Sequence, residues 1–208
     1  MKITKYEHSI ILLEKDSGRV IFDPVEITQT LPDFENVAAI IITHRHSDHC
    51  QPEVIEKIIS SNPAAKLFTT QDTVPNLSGF SPTVVKDGDT MEIGGFKLQF
   101  FGKDHASLGG MVPCENIGAV VDDVLSNPGD SFNVPPVKTP VLLAPISAPW
   151  CKAFETIEYI NKANPNTVIP VHDALLSDFG QEITYNVIHG ACQNTSIKYL
   201  LPGDSIDA

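Results

Sequence analysis

Only two of the 208 residues are arginine, Arg19 and Arg45, and 14 lysines and arginines stand against 26 aspartates and glutamates, a formal net charge of −12. Binding to a phosphate backbone is carried by lysine and arginine, so this balance argues against a nucleic-acid partner, and equally against an anionic membrane surface. Long hydrophobic runs are missing as well. The amino terminus, Met1-Lys2-Ile3-Thr4-Lys5-Tyr6-Glu7-His8, has no extended apolar stretch behind its lysines, and nothing elsewhere approaches membrane-spanning length. A soluble cytoplasmic protein is therefore expected. Cysteine is sparse: Cys50, Cys114, Cys151 and Cys192 form neither a Cys-x-x-Cys pair nor a disulfide-framework spacing, which reads as free thiols. Cys50, next to His49, is the one thiol for which metal ligation stays open. Linkers, low-complexity tracts and short-period repeats are also lacking. A length of 208 residues with 42% apolar content suits one domain, 1–208, with a sizeable core.

What is present centres on Ala39-Ile40-Ile41-Ile42-Thr43-His44-Arg45-His46-Ser47-Asp48-His49-Cys50. An unbroken β-branched run has no polar face to offer water, so Ile40 to Ile42 read as a strand buried on both faces, with the histidines at its carboxyl end. If the backbone stays extended, His44, His46 and Asp48 share one side, and a turn then brings His49 around. Pro52 and Glu53 suit the first turn of a following helix, with Val54, Ile55, Ile58 and Ile59 at helical spacing. Three imidazoles and a carboxylate packed this closely would be costly as a core feature, whereas a metal ion satisfies them together.

Along the rest of the chain, residues 2–13 and 19–22 read as strands of an opening hairpin turning at Lys15-Asp16-Ser17-Gly18. Further strands are expected at 66–69, 84–85, 91–93, 96–100, 116–121, 124–126, 141–144, 167–171 and 197–200, and helices at 149–163 and about 174–189. Asp122-Asp123 fits a solvated two-residue hairpin turn, Trp150 a packing residue at a helix start, and His189 a bystander. His105, Asp130 and His172 each follow a predicted strand. Gly129 lets the backbone near Asp130 come close to a site without a Cβ.

The motif His44-x-His46-x-Asp48-His49 after an apolar strand, followed in order by His105, Gly129-Asp130-Ser131 and His172, resembles the metallo-β-lactamase-fold hydrolases. The resemblance runs over nearly the whole chain. It implies an α/β fold, a four-layer αββα sandwich with two mixed sheets face to face and helices outside. It implies two divalent ions, with His44, His46 and His105 on one, Asp48, His49 and His172 on the other, and Asp130 bridging. Zinc is the first choice, and manganese or iron also suit nitrogen and oxygen ligands. A water shared by the ions would be a hydroxide near neutral pH, with Asp48 as its proton acceptor. The activity implied is hydrolysis of a small ester, lactone or phosphoester; the alternatives are a non-catalytic metal-binding or sensing protein and a di-iron redox protein. The compact pattern looks most like the branch with ascorbate-6-phosphate lactonase. In the family an aspartate at Asp23 orients a ligand histidine, while Asp-Pro also suits a plain turn. His8 is read as a structural histidine that could instead face the site, and Arg45 and Lys103 as flanking cations that could attract an anion. The oligomeric state is not legible.

Overall fold

In the computed structural model, which describes residues 1–208, alternation along the strands sorts apolar side chains onto two faces of two sheets. In chain order the elements are β1 (Lys2–Lys5), β2 (Ile11–Lys15), β3 (Gly18–Phe22), β4 (Val37–Ile41), α1 (Pro52–Ser61), β5 (Lys66–Thr69) and β6 (Thr83–Val84). There follow β7 (Thr90–Ile93), β8 (Phe96–Phe101), β9 (Gly118–Val121), β10 (Leu125–Asn127), β11 (Val141–Pro145), α2 (Ala153–Ala163), β12 (Thr167–Val171), α3 (Asp178–Ala191), β13 (Ser196–Ile197) and β14 (Ser205–Asp207). One seven-stranded sheet has the order β14-β1-β2-β3-β4-β5-β6, the other β13-β12-β11-β10-β9-β8-β7. Both are mixed: the hairpin strands pair antiparallel, and the strands joined through helices pair parallel.

Strand β4 shows how this layering is written. Ile41 faces the other sheet and packs with Phe22, Phe100, Val121 and Leu143, while Ile40 and Ile42 face outward beneath Val54, Ile55 and Ile58 of α1. In the second sheet Val141 and Leu143 point inward. Leu142 and Ala144 point outward against Tyr159 and Ile160 of α2 and Ile188 of α3. Three apolar layers between two sheets and their outer helices make the expected αββα sandwich.

Several expected boundaries move. Residues 2–13 are not one strand: the chain reverses at Tyr6 to Ser9, so that β1 pairs antiparallel with β2, Lys5 opposite Ile11, and His8 stands at the tip with a left-handed φ of 63°. No glycine or proline marks this reversal. Helix α2 begins at Ala153 rather than at Pro149, because the Ala148–Cys151 bridge closes a turn around Pro149 and Trp150. Phe154, which helical spacing with Ile157 and Ile160 would put on the inner face, is 61% exposed. Helix α3 starts at Asp178, capped by Ser177, whose Oγ accepts the Gly180 N–H at 3.2 Å. The strand expected at 197–200 shortens to Ser196–Ile197, and the polar tail adds β14 beside β1, held through backbone pairing. Asp122 and Asp123 do form the tight turn between β9 and β10, with φ of 55° and 56° as such a turn requires. Asp123 is exposed beside Lys97, but Asp122 is not simply solvated, since its Oδ2 lies 2.6 Å from Lys15.

Candidate metal centre

Each of the seven residues singled out above lies just beyond a strand, and the two sheets deliver all seven to one edge. His44 follows β4, and a turn at residues 45–49 replaces the extended path expected there: the His46 carbonyl accepts the His49 and Cys50 N–H groups at 3.0 and 2.8 Å. The turn splits the run, so that His44 and His46 group with His105 and Asp130, while Asp48 and His49 group with His172. His8, from the unexpected hairpin tip, joins the second group. Six of the chain's seven histidines thus meet here; only His189 stands apart.

Asp130 stands between the groups. One carboxylate oxygen lies 3.2 Å from His49 Nε2, and the other lies 3.0 Å from His172, 3.4 Å from His105 and 3.8 Å from His44, each measured to Nε2. Its loop is held from behind. The Asn116 side-chain carbonyl accepts the Asp130 N–H at 2.9 Å, and the Asn116 amide donates to the Pro128 carbonyl at 2.8 Å. A Cβ on Gly129 would come within 2.3 Å of Asn116 Oδ1 and 2.9 Å of the Thr43 Cβ, at a φ of +60°. Only glycine fits there. The fully buried Asn116 was not foreseen; its only sequence signal is its place ahead of a buried strand.

The far ring nitrogens are fixed by a surrounding shell. His49 Nδ1–H donates to Asp23 at 2.9 Å, His105 Nδ1–H to the Ala106 carbonyl at 2.7 Å, and His172 Nδ1–H to the Ser147 carbonyl at 2.6 Å. His44 Nδ1–H meets Thr43 Oγ1 at 3.0 Å, and that hydroxyl donates on to Asp23 at 2.8 Å. Asp23 therefore aims two histidines, one directly and one through Thr43, which favours the orienting role over the plain turn. It is fully buried, and it sits at φ 45° as His172 sits at 62°. Non-glycine residues in this left-handed region concentrate where function demands a particular aim.

These bonds turn the Nε2 atoms of His49, His105 and His172 inward around Asp130, where they are buried and none has a well-directed hydrogen bond, although the carboxylate lies 3.0–3.4 Å away. Three buried nitrogens crowded on one carboxylate without proper partners are costly. Divalent ions would satisfy all three, and imidazole nitrogens with carboxylate oxygens are a donor set suited to them. Cys50 is not among the donors: it packs in the apolar layer beneath α1, and burial, with Asp23 nearby, pushes its thiol up to about 12.

Charge state follows environment. Burial drives the His44 imidazole well below its ordinary value, reinforced by His49, and burial likewise lowers His46 and His8. Burial raises the Asp48 and Asp130 carboxyls, yet the surrounding histidines overcome this and hold both below the ordinary carboxylate range. His49 goes the other way: burial opposes its charge, but Asp130, Asp23 and Asp48 together raise it to about 9. In the metal-free fold its imidazolium contributes stability below its ordinary 6.5, and this is lost as pH rises through about 9. A metal takes only the neutral ring. Affinity for the ion on His49 should therefore rise by up to about tenfold per pH unit from 7 to 9 as that proton no longer has to be displaced. Equilibrium dialysis against buffered zinc at pH 7, 8 and 9 measures the slope, and a flat response would remove His49 from the ligand set.

The centre opens into a cavity of about 380 Å³, onto which His46, Asp48, His105, Asp130 and His172 face. Trp150 also lines it, its ring 5.3 Å from that of His105 and 5.9 Å from that of His172, so it is a wall of the site rather than a core residue. Lys103 does not border this cavity, and Arg45 at its edge lies 3.6 Å from Asp72.

Comparison with known proteins agrees with this geometry. Protein Rv0786c of Mycobacterium tuberculosis is 31% identical over 191 residues, 89% of this chain and 90% of that one. A UPF0173 metal-dependent hydrolase of Bacillus velezensis is 32% identical over 107 residues, 50% of this chain and 44% of its own length. Among solved structures, Igni18, a metallo hydrolase of the archaeon Ignicoccus hospitalis, superposes with a TM-score of 0.76 at 20% identity, covering 99% of this chain and 97% of that one. The Beta-lactamase superfamily domain matches residues 2–172, from the first strand through the last of the clustered histidines, and the chain belongs to that superfamily.

Proposed function

We propose that the protein is a binuclear metal-dependent hydrolase of a small ester, lactone or phosphoester. The observation that carries this reading is Asp130, buried within 3.8 Å of histidines from both groups, where a single carboxylate can serve two ions. His44, His46 and His105 would hold one ion, Asp48, His49 and His172 the other, with Asp130 shared and zinc the first choice. Bound there, such ions supply an acidified water and a Lewis acid for the substrate oxygen. The chain's own part is aim and proton handling. Asp48 is the ionised carboxylate with 37% of its side chain open to the cavity, and His8 Nε2–H fixes its Oδ2 at 3.2 Å. It is placed to take a proton from a water in the cavity while its other oxygen stays free. His8 is thus assigned to the site, against the structural role read from the sequence. Trp150 walls one side of the cavity in which the reacting group would sit. The four unpaired thiols support a reducing compartment such as the cytoplasm.

The test is a panel of aryl esters, lactones, thioesters and phosphodiesters assayed with zinc- and manganese-loaded protein. Turnover that disappears on chelation and returns with metal is expected for at least one class. Failure across the panel in protein that holds metal would favour a binding or sensing role.

A further inference from the structure

The wall of the cavity opposite the metal ligands bears on which substrate the site takes. Leu108, Met111, Val112, Pro149, Trp150 and Leu175 form it, and four of these are large apolar side chains left in water: Leu108 is 42% exposed, Met111 66%, Val112 93% and Leu175 60%. Leu108, Met111 and Val112 ride on one loop whose base is tied down, the His105 N–H to the Cys114 carbonyl at 2.9 Å and the Ala106 N–H to the Asp130 carbonyl at 2.8 Å. At the loop tip Gly109 and Gly110 take positive φ, with open space where a Cβ would stand. The loop therefore presents apolar side chains to the site without burying them in the protein. Trp150 faces them, braced by Phe132 with ring centres 5.5 Å apart.

Charge points the same way. Arg45 is the one lysine or arginine bordering the cavity, and Asp72 stands beside it. The charged oxygens of a phosphoryl group would find no second cationic side chain to pair with, whereas the leucine, methionine and valine side chains there gain by covering an apolar group.

Resting on the hydrolase reading above, we infer that the substrate is a neutral ester or lactone carrying an alkyl or aryl group, seated between Trp150 and the Leu108–Val112 loop, rather than a sugar phosphate or phosphodiester. In the reaction, water adds to the acyl carbon, the acyl C–O bond breaks, and the alcohol oxygen takes up a proton, giving a carboxylic acid and an alcohol from an ester or a single hydroxy acid from a lactone.

Trp150 is the only tryptophan in the chain, so its fluorescence reports occupancy directly. The zinc-loaded protein is titrated with 2-pentanone, 2-heptanone and 2-nonanone, which cannot be hydrolysed, and is assayed separately on p-nitrophenyl acetate, butyrate and hexanoate and on bis(p-nitrophenyl) phosphate. Ketone affinity should rise about two- to fourfold per added methylene, ester kcat/KM should rise along the same series, and hexanoate should be preferred to the phosphodiester. Val112→Glu and Met111→Glu, at exposed positions where the fold tolerates charge, should weaken 2-nonanone several-fold more than 2-pentanone. Flat chain-length dependence in both series, or preference for the phosphodiester, would overturn the substrate assignment while leaving a hydrolase in place. Graded ketone binding with neither the carboxylic esters nor the phosphodiester cleaved would uphold the apolar pocket and sink the hydrolytic reading instead.

Discussion

Asp130→Asn should bind one metal ion where the parent binds two and lose hydrolytic activity by about 10²-fold or more. Asparagine keeps the size and one acceptor oxygen of the side chain, and its backbone N–H can still reach Asn116, so the change isolates the charge. That charge is what two neighbouring dications need between them. Even at an effective dielectric of about 20, a single pair of unit charges about 4 Å apart interacts by roughly 4 kcal/mol, and doubly charged ions by more. The variant should keep the parent's circular dichroism, because no strand or helix depends on the carboxylate. Asp123→Asn is the matched control, since Asp123 lies on the exposed turn beside Lys97; Asp122 is the poorer choice because it binds Lys15. Atomic emission on dialysed protein, paired with turnover of the best substrate, reads both effects. Two ions and full turnover in Asp130→Asn would take the bridging role away from this residue.

The second large effect is expected at Asp23. Asparagine tolerates the left-handed backbone found there and is as good a turn former as aspartate, so a merely structural role in the Asp-Pro turn would survive Asp23→Asn. The orienting role would not. Asp23 accepts three hydrogen bonds, from the Thr43 N–H at 2.7 Å, the Thr43 hydroxyl at 2.8 Å and His49 Nδ1–H at 2.9 Å, and an amide offers an N–H where one acceptor stood. Loss of the charge also removes part of what raises His49, so the pH slope of metal uptake should flatten. Metal affinity of the His49 ion should fall about 10- to 100-fold, and the buried defect should lower unfolding stability by about 2–4 kcal/mol. Parent-like zinc affinity, measured with a competing chelator at pH 7.5, would return Asp23 to the role of a turn residue.

Much of this centre is legible in the sequence because its chemistry is local. His44, His46, Asp48 and His49 lie within six residues, and His105, Asp130 and His172 each follow a short apolar run, so the pattern of strand then ligand survives without coordinates. The sandwich is legible for a related reason: Ile40, Ile41 and Ile42 leave no polar face, which forces layers on both sides of β4. What escapes the sequence depends on long-range partners or on backbone without a side-chain signature. The reversal that carries His8 into the site contains neither glycine nor proline, and only the pairing of β1 with β2 reveals it. Strand β14 is polar and is defined by its backbone bonds to β1. Helix α2 fits a start at Pro149 by composition, yet the turn at Ala148–Cys151 removes Pro149 and Trp150 from it and turns Trp150 toward the cavity. Asn116 is invisible because its role is to hold a loop 14 residues away.

Metal stoichiometry tests the central claim most directly. Protein purified without chelator and dialysed against buffered zinc at pH 8 should hold two ions per chain, filling in two steps whose weaker member is lost in Asp130→Asn. One ion per chain at saturating zinc, unchanged by that substitution, would contradict a shared carboxylate and the binuclear hydrolase built on it.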